Sequence, residues 1–434
     1  MRASAAARLD RLPIGPFHRK MLMLIGAGMF FDSFDIYLTG TVLGALMKSG
    51  WSTLSLNASF VSATFVGMVI GALGAGILGD RFGRKFTYQF NLGIFGLASL
   101  AAAVMPDMHW LIGARFVTGI GLGAEIVIGY ATMIEFVPPQ ARGRWSAGLS
   151  LLTNFGLFAA TLAGYFIIPT IGWRYMFALA GVGALFVLWL RRAIPESPRW
   201  LETHGRADEA DAMLTEVEAG YGPLPAPEMT PLPPAPSLVS RGMLGRLGLG
   251  SLLNVVMGIA IYGFVVWVPT ILVQHGLSLN RSLGQSVLMS LGGPTGALIG
   301  VLLADRLGRR RAIIGASLLG CVVGTLFAQS SSQEMAVVLG FAMFTLIYFL
   351  VAVAIANYVP ELFPTATRMR GNGICSTIGR LTTIIVPQIA IALFQVGGVV
   401  AVLGGVAVAL ATQAVVVWLA GIETNQRSLE SIAP

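Results

Sequence analysis

The sequence contains few charged side chains. Only 11% of its 434 residues are Asp, Glu, Lys or Arg, whereas a soluble domain has about 25%. Cysteine is nearly absent, and Cys321 and Cys375 both lie in apolar segments, where a thiol packs as a small hydrophobe. The four histidines do not show the paired spacing of a metal site, and no phosphate-binding loop is present. These shortages exclude a soluble globular domain, and we expect no metal, no cofactor and no enzymatic activity.

Apolar residues are abundant instead, at 55% of the chain with a mean hydropathy of +0.77. A bilayer core about 30 Å thick requires about 20 apolar residues for each helical span. By this measure the sequence predicts an all-α membrane protein with twelve transmembrane helices. The predicted spans are 21–48, 57–79, 86–105, 108–137, 144–168, 173–191, 246–274, 282–304, 312–330, 333–358, 370–396 and 398–420.

Two distant fragments, Gly79–Lys85 and Ala304–Arg310, nearly repeat each other as GDRFGRK and ADRLGRR. Each ends one apolar segment and begins the next, so the chain divides into two related halves. An internally duplicated membrane protein with charged turns at matched positions is typical of a transporter. The predicted organisation is a segment 1–20, a six-helix bundle 21–191, a linker 192–245, a second six-helix bundle 246–420 and a tail 421–434.

The basic residues indicate how the chain crosses the bilayer. With a cytoplasmic N-terminus, only Lys48, Arg174 and Arg281 lie outside, while Arg115 and Arg380 fall within spans. The other 23 of the 28 Lys and Arg residues then lie on the cytoplasmic side, which follows the positive-inside rule. We therefore attribute the net charge of +8 to a lipid bilayer, namely the cell inner membrane, and not to a nucleic-acid partner. Both termini are expected in the cytoplasm.

The linker combines two kinds of sequence. Gly205–Gly220 has the spacing of a surface helix, and Tyr221–Pro236 is rich enough in proline to be extended. This segment is either a passive tether or a latch at the inner side of the protein.

Carboxylates and guanidinium groups recur together at the predicted cytoplasmic ends of both halves. Because planar Arg binds carboxylate in a bidentate manner, we expect ion pairs between the bundles that close the cytoplasmic side when the cavity faces outward. The alternative is that the basic residues only anchor the topology. The predicted gate residues are Asp80, Arg81, Arg84, Glu135, Arg142 and Arg144 in the first half and Asp305, Arg309, Glu361 and Arg370 in the second.

Five ionisable side chains lie within spans, where each costs about 2.5–3.5 kcal/mol to insert. Asp32 and Asp35 are three residues apart and share a helix face, so both should not ionise at once and one is expected to carry a proton. Glu125 lies about 15 Å along its helix from Arg115. It is either a second protonation site or a protonated carboxyl group that is hydrogen-bonded to backbone or a hydroxyl. Arg380 requires an anionic substrate, or a carboxylate partner such as Asp32 or Glu125.

Several motifs together resemble the signatures of the major facilitator superfamily. They are Gly79–Lys85, Arg115 with Gly119, Gly121 and Gly123, Pro195–Leu201 (PESPRWL), and Pro360–Pro364 with Arg370 and Gly371. The PESPRWL element is similar to the sugar-porter and organic-ion branches. The resemblance implies two pseudo-symmetric six-helix bundles that bind substrate between them and expose it to each side in turn.

The resemblance also implies roles for single residues. Phe34–Tyr37, followed by Gly40–Val42, is similar to the first-helix motif of proton-coupled sugar porters, whose aspartate binds the proton and pairs with the arginine matched by Arg115. This implies that protonation of Asp35 releases Arg115, although a permanent structural pair is the alternative. The segment that ends in Arg380 resembles organic cation and anion transporters, in which arginine at this position accompanies anionic substrates.

Polar and aromatic residues at matching depth suit a small planar carboxylate beside one cation, although each aromatic ring alone also fits ordinary helix packing. The sugar-porter pattern of paired glutamines is absent from residues 254–263. The best resemblance is to nicotinate permeases and aromatic-acid proton symporters. We therefore expect a monomeric, proton-coupled importer of a small organic anion such as nicotinate, with a symporter of sugar or another neutral metabolite, or a transporter-like sensor, as alternatives; uniport and antiport also remain open. The predicted substrate-binding residues are Arg380, Asn154, Asn254, Tyr262, Trp267, Phe344, Tyr348, Asn357 and Tyr358.

Overall fold

The computed structural model describes residues 5–138, 141–226, 241–269, 272, 278–330, 332–363 and 368–424. Within these ranges every regular element is a helix. The helices are α1 (Ala5–Asp10), α2 (Pro16–Lys48), α3 (Leu54–Phe82), α4 (Arg84–Ala103), α5 (Met108–Phe136), α6 (Arg142–Thr170), α7 (Arg174–Leu190), α8 (Pro198–Thr203), α9 (Ala207–Ala219), α10 (Arg241–Ala260), α11 (Leu279–Ser290), α12 (Gly292–Leu307), α13 (Arg309–Ala328), α14 (Gln333–Leu350) and α15 (Arg368–Ala420).

The helices pack as two bundles with matched neighbours. In the first bundle α3 packs against α5, α4 against α7 and α2 against α6. In the second, α12 packs against α14, α13 against α15 and α10 against α15. Each half has its own apolar core, and the two halves meet where α3 contacts α15 and where α6 contacts α11 and α12. The predicted all-α fold with two pseudo-symmetric bundles is confirmed.

Several spans are less regular than the hydropathy pattern predicts. The spans 370–396 and 398–420 form one element, α15, which is broken at Gly397 and at Gly398, where φ is +60°. The predicted span 282–304 is divided at Leu291 into α11 and α12. Wider π-helical turns extend α10 through Ile261–Val265 and α14 through Val351–Tyr358. Nine helices of the described ranges are long and apolar enough to cross a membrane, which is consistent with the predicted twelve spans.

The predicted surface helix of the linker is present as α9, and it is attached to the N-terminal segment. Arg8 and Arg11 each form an ion pair with Glu218 at 2.7 Å, and Arg199 pairs with Asp10 at 2.8 Å. The hydrogen bond from Arg8 holds the pKa of Glu218 below its ordinary value. The linker helices α8 and α9 are therefore fastened to the N-terminal segment that precedes the first bundle. Residues 227–236 of the predicted proline-rich stretch lie outside the described ranges.

Close contact between α3 and α5 depends on glycine. A Cβ atom on Gly71 would lie 1.9 Å from the carbonyl oxygen of Ile120, and one on Gly119 would lie 2.1 Å from that of Thr64. Gly67 and Gly71 in α3, and Gly119 and Gly123 in α5, are spaced by four residues, a pattern that allows two membrane helices to approach in this way. The approach brings α3 against the part of α5 that carries Arg115.

We predict that Gly119→Ala destabilises the protein, because its methyl group would force α3 and α5 apart at a cost of about 1–3 kcal/mol. The melting temperature of the purified protein in detergent measures this loss. Gly113→Ala is the matched control in the same helix, since a Cβ atom there meets nothing within 4 Å. Equal melting temperatures for the two variants would contradict the prediction.

Candidate functional site

Asp35 and Arg115 form a fully buried ion pair inside the first bundle. Nη1 of Arg115 lies 2.5 Å from Oδ2 of Asp35, and neither side chain is exposed. The hydroxyl group of Ser99 donates a hydrogen bond of 3.3 Å to the other carboxylate oxygen of Asp35. Nε of Arg115 donates to the hydroxyl of Thr64 at 3.4 Å, so α3 also holds the guanidinium group. The structure thus brings together the two residues that the resemblance links.

Glu125 forms an ion pair with Arg191, in the short 3₁₀ turn Arg191–Ala193 after α7. Arg191 was not among the predicted site residues, because its place at a span end resembles that of an ordinary topology-anchoring arginine. The geometry therefore does not match the alternative in which Glu125 is a protonated carboxyl group that is hydrogen-bonded to backbone or a hydroxyl. Asp32 is 1% exposed, and its carboxylate oxygens have no hydrogen-bond partner in the described part of the chain.

Arg380 extends from the second bundle toward the first. Its Nη1 atom donates a hydrogen bond of 3.2 Å to the carbonyl oxygen of Gly123 in α5. Among the described residues it forms no ion pair, so neither Asp32 nor Glu125 neutralises its charge. Tyr262 lies close enough to interact with it electrostatically. Arg380 is therefore a half-buried cation at the contact between the two bundles.

Aromatic residues connect the two bundles near these charges. The hydroxyl groups of Tyr348 and Tyr37 are 2.5 Å apart, and the rings of Phe65 and Tyr262 meet edge to face at 4.3 Å. A cavity beside this contact is lined from the first half by Ile36, Thr39, Val61, Thr64, Phe65, Met68 and Arg115 and from the second by Tyr262 and Val266. Its free space is about 10 Å³, room for about one water molecule. The coupling candidate Arg115 and the substrate candidate Tyr262 thus face the same space.

Four of the other predicted substrate-binding residues lie in different surroundings, and two of them already use their side-chain amides within their own helices. Asn154 and Asn254 donate their side-chain amides to carbonyl groups four residues earlier in their own helices, each at 2.9 Å. The indole nitrogen of Trp267 is buried without a hydrogen-bond partner in the described part of the chain. Phe344 packs on Phe264, with ring centres 5.9 Å apart, in the core of the second bundle.

The prediction that Tyr358 contacts substrate beside Arg380 does not match its position. Its hydroxyl group accepts a hydrogen bond of 2.9 Å from the backbone N–H of Ile422, which follows the last helix. This contact holds it at the end of α14 that carries Glu361, beside the charged turns. Asn357, its neighbour in the π-helical turn, is half-buried.

The repeated charged turns carry equivalent clusters in both halves. In the first, Arg84 pairs with Glu135 at 3.1 Å, and the carboxylate of Glu196 accepts hydrogen bonds from the backbone N–H groups of Arg84 and Lys85 at 2.7 and 3.2 Å. A carboxylate at this place also interacts favourably with the N-terminal end of the helix dipole.

In the second half, Arg309 pairs with Glu361 at 3.1 Å, and Glu423 accepts from the backbone N–H groups of Arg309 and Arg310 at 2.9 and 3.2 Å. Neither Glu196 nor Glu423 was among the predicted gate residues. The available signal was a glutamate shortly after the last helix of each half.

Glycine is required in both turns. Gly83 and Gly308 have φ values of +92° and +78°, which side chains rarely adopt. A Cβ atom would also lie 2.2 Å from Glu196 at the first turn and 2.9 Å from Glu423 at the second. The repeated glycine therefore makes room for the carboxylate that caps the next helix.

The ion pairs expected between the bundles when the cavity faces outward have no example among the pairs of the described residues. Both Arg84–Glu135 and Arg309–Glu361 lie within one half, because each arginine starts a helix that packs beside the helix carrying its glutamate. Arg81 is exposed and lies over the ring of Phe82 at 5.4 Å. The side chains of the remaining predicted gate residues lie outside the described part of the structure, namely Asp80, Arg142, Arg144, Asp305 and Arg370.

Comparison with known proteins agrees with this architecture. The family model described as Major Facilitator Superfamily matches residues 25–387 and 286–432. The chain is 36% identical to the inner membrane metabolite transport protein YdjE of Escherichia coli (strain K12), over 98% of both chains. It is 30% identical to the niacin transporter NiaP of Acinetobacter baylyi, over 98% of this chain and 99% of that protein.

Among solved structures, the xylose transporter XylE from E. coli in a partially occluded inward open conformation is similar, with a TM-score of 0.77. The match covers 95% of this chain and 100% of that chain at 18% identity, so the likeness concerns the fold alone. The chain therefore belongs to the Major Facilitator Superfamily, and it is a multi-pass membrane transporter rather than an enzyme.

Proposed function

We propose that the protein is a proton-coupled importer of a small organic anion, with nicotinate or a similar aromatic monocarboxylate as its substrate. The main support is Arg380, a cation at the contact between the bundles that donates a hydrogen bond to the neutral carbonyl group of Gly123. A guanidinium group cannot release its proton, and a charge inside a membrane protein requires compensation. A substrate carboxylate supplies that compensation and binds the planar guanidinium in a bidentate manner.

The surrounding rings support a flat substrate. Tyr262 interacts with Arg380 and also contacts Phe65 of the opposite bundle, while Tyr37 and Tyr348 meet nearby. Aromatic side chains pack against a planar ring in offset or edge-to-face arrangements. The 30% identity to a niacin transporter over nearly the full length of both chains adds to this argument.

Proton coupling is assigned to Asp35 and Arg115. When Asp35 binds a proton, it no longer neutralises Arg115, and the guanidinium group is then free to reorient toward the cavity that it lines with Tyr262. Protonation thereby changes the charge of the wall that faces the substrate. Ser99 and Thr64 keep the two side chains in position between these events.

The cytoplasmic turns form the gate in this proposal. The Arg84–Glu135–Glu196 and Arg309–Glu361–Glu423 clusters brace their own halves, so each half moves as one body when the cavity opens inward. The protein acts as a monomer in the cell inner membrane, with both termini in the cytoplasm, as the distribution of basic residues indicates.

Replacing Arg380 tests the anion site. We expect Arg380→Gln to weaken nicotinate binding about 10- to 100-fold, because a hydrogen bond to a charged group is worth about 1.5–3 kcal/mol. Nicotinamide has the same ring without the charge, so its binding should change far less. Equilibrium binding to the purified protein measures both affinities.

The control for this experiment is Arg281→Gln, which removes an exposed arginine from the first turn of α11. It should bind nicotinate as the wild type does. Undiminished nicotinate affinity in Arg380→Gln would refute the anion site.

Replacing Asp35 tests the coupling pair. We expect Asp35→Asn to lose nicotinate uptake driven by an inward proton gradient in proteoliposomes, because the amide cannot exchange a proton. Gradient-free exchange of labelled for unlabelled nicotinate should be partly kept. Asp107→Asn, in an exposed loop where the amide still caps α5, is the control. Unchanged gradient-driven uptake in Asp35→Asn would show that the pair is only structural.

A further inference from the structure

The first bundle contains more buried negative than positive charge. Asp32, Asp35 and Glu125 are carboxylates, Arg115 and Arg191 are guanidinium groups, and every one of these side chains is at most 1% exposed. If all five were ionised, one negative charge would remain in a medium of low dielectric constant. Burying such an unpaired charge is expensive, and a carboxyl group there retains a proton instead.

Arg191 is held at several points. Its Nε and Nη2 atoms donate to the carbonyl oxygens of Leu24 and Ile25 in α2, at 2.9 and 2.8 Å, and its Nη1 atom pairs with Glu125. The guanidinium carbon lies 4.5 Å from the ring centre of Tyr88 in α4. Arg191 thus connects α2, α4 and α5 to the end of α7.

Gly28 provides the space for this ion pair. A Cβ atom on Gly28 would lie 2.0 Å from Nη2 of Arg191 and 2.4 Å from Oε1 of Glu125. The pair therefore rests directly on the backbone of α2, one helical turn before Asp32 and on the same face. Asp32 therefore lies next to this ion pair but takes no part in it.

Asp32 is the carboxyl group of this cluster that has no hydrogen-bond or ion-pair partner in the described part of the chain. Glu125, Arg191 and Asp35 are the charged groups that act on it, from α5, from the end of α7 and from α2 itself, and Tyr88 of α4 stands behind Arg191. The side chains of α6 that meet α2 nearby, Leu149 and Leu152, are apolar.

Arg191 is already paired with Glu125, and Arg115 with Asp35. The excess proton of the cluster therefore belongs to Asp32.

We infer that Asp32, Glu125 and Arg191 form a second proton site, which receives the coupling proton from Asp35 and passes it toward the cytoplasm. This inference rests on the proposed proton-coupled function. Asp32 first releases its own proton on the cytoplasmic side. The O–H bond of protonated Asp35 then breaks, an O–H bond forms on the Asp32 carboxylate, and the Asp35 carboxylate pairs again with Arg115. The total charge is conserved, and the coupling pair is reset. Arg191 is a positioning residue, because it fixes Glu125 beside Asp32.

The first experiment requires no substrate. A carboxyl group that is protonated in the folded state and ionised in the unfolded state makes stability fall as pH rises. The melting temperature of the wild type should therefore fall between about pH 6 and about pH 9 more steeply than that of Asp32→Asn. Asp35→Asn is the matched comparison in the same helix, and it should melt lower at all these pH values because Arg115 loses its partner. Parallel pH profiles for the wild type and Asp32→Asn would overturn the inference.

The second experiment measures transport in sodium-free proteoliposomes. Asp32→Asn is expected to lower gradient-driven nicotinate uptake at least about 10-fold, because a positioned proton-transfer group contributes about 100- to 10,000-fold. Nicotinate binding should stay unchanged, and Asp32→Glu should restore part of the uptake. If the wild type itself shows no gradient-driven uptake, the proposed function fails. If the wild type accumulates nicotinate and Asp32→Asn does so equally, only the second proton site is refuted.

Arg191 is tested through the pH profile of uptake. Arg191→Gln removes a cation beside two carboxyl groups, so the midpoint should move toward alkaline pH by about 1 unit. Arg191→Lys should restore the wild-type profile in part, and Arg174→Gln, at the exposed beginning of α7, should leave it unchanged. An unshifted midpoint in Arg191→Gln would contradict the positioning role.

Discussion

The ion pair between Asp35 and Arg115 is the interaction on which the first bundle depends. Both side chains are fully buried, so removing either partner leaves an uncompensated charge at a cost of about 3–5 kcal/mol. Arg115 reaches Asp35 from α5, and the glycines that bring α3 against α5 allow Thr64 to hold its guanidinium group. A proton neutralises Asp35 without adding bulk, which is why the proposed coupling is assigned to this buried pair.

The two halves are alike at their cytoplasmic turns and different near the contact between them. Gly83 and Gly308 adopt the same backbone conformation, and each faces a carboxylate that caps the next helix. The three buried carboxylates of the first half have no such counterpart among the described residues of the second, where Arg246 and Arg309 are the buried charged side chains and Arg380 is half-buried at the contact. Duplication thus explains the scaffold, whereas the proposed division of labour assigns proton binding to one half and substrate charge to the other.

Much of this architecture could be predicted from the sequence, because it depends on local patterns. Apolar runs indicated the spans, the repeated GDRFGRK and ADRLGRR fragments indicated the duplication, and the spacing of Asp32 and Asp35 placed them on one helix face. The pairing of Asp35 with Arg115 came only from resemblance. Arg191 was missed because its partner Glu125 lies in another helix, and no periodicity connects two residues that meet only after the bundle packs.

Ion pairs hold each bundle together, whereas mainly neutral hydrogen bonds join the two bundles, and this difference suits alternating access. Among the described residues every ion pair between transmembrane helices lies within one bundle, as in Arg84–Glu135, Asp35–Arg115 and Arg309–Glu361. In the same part of the chain, the hydrogen bonds between bundles are neutral or involve one charge. The hydroxyl groups of Thr161 and Ser290 are 2.7 Å apart, and Ser62 donates to the carbonyl oxygen of Ile384 at 2.7 Å.

A neutral hydrogen bond contributes about 0.5–1.5 kcal/mol, and breaking a buried ion pair costs several times more. The contact between the bundles therefore opens at modest cost, while the ion pairs keep each bundle rigid. Arg380 is the exception, since its hydrogen bond to Gly123 joins the bundles through a charged group. A substrate anion that takes the place of this carbonyl would weaken the link to α5 as it binds, and substrate binding would thereby act directly on the contact that must open.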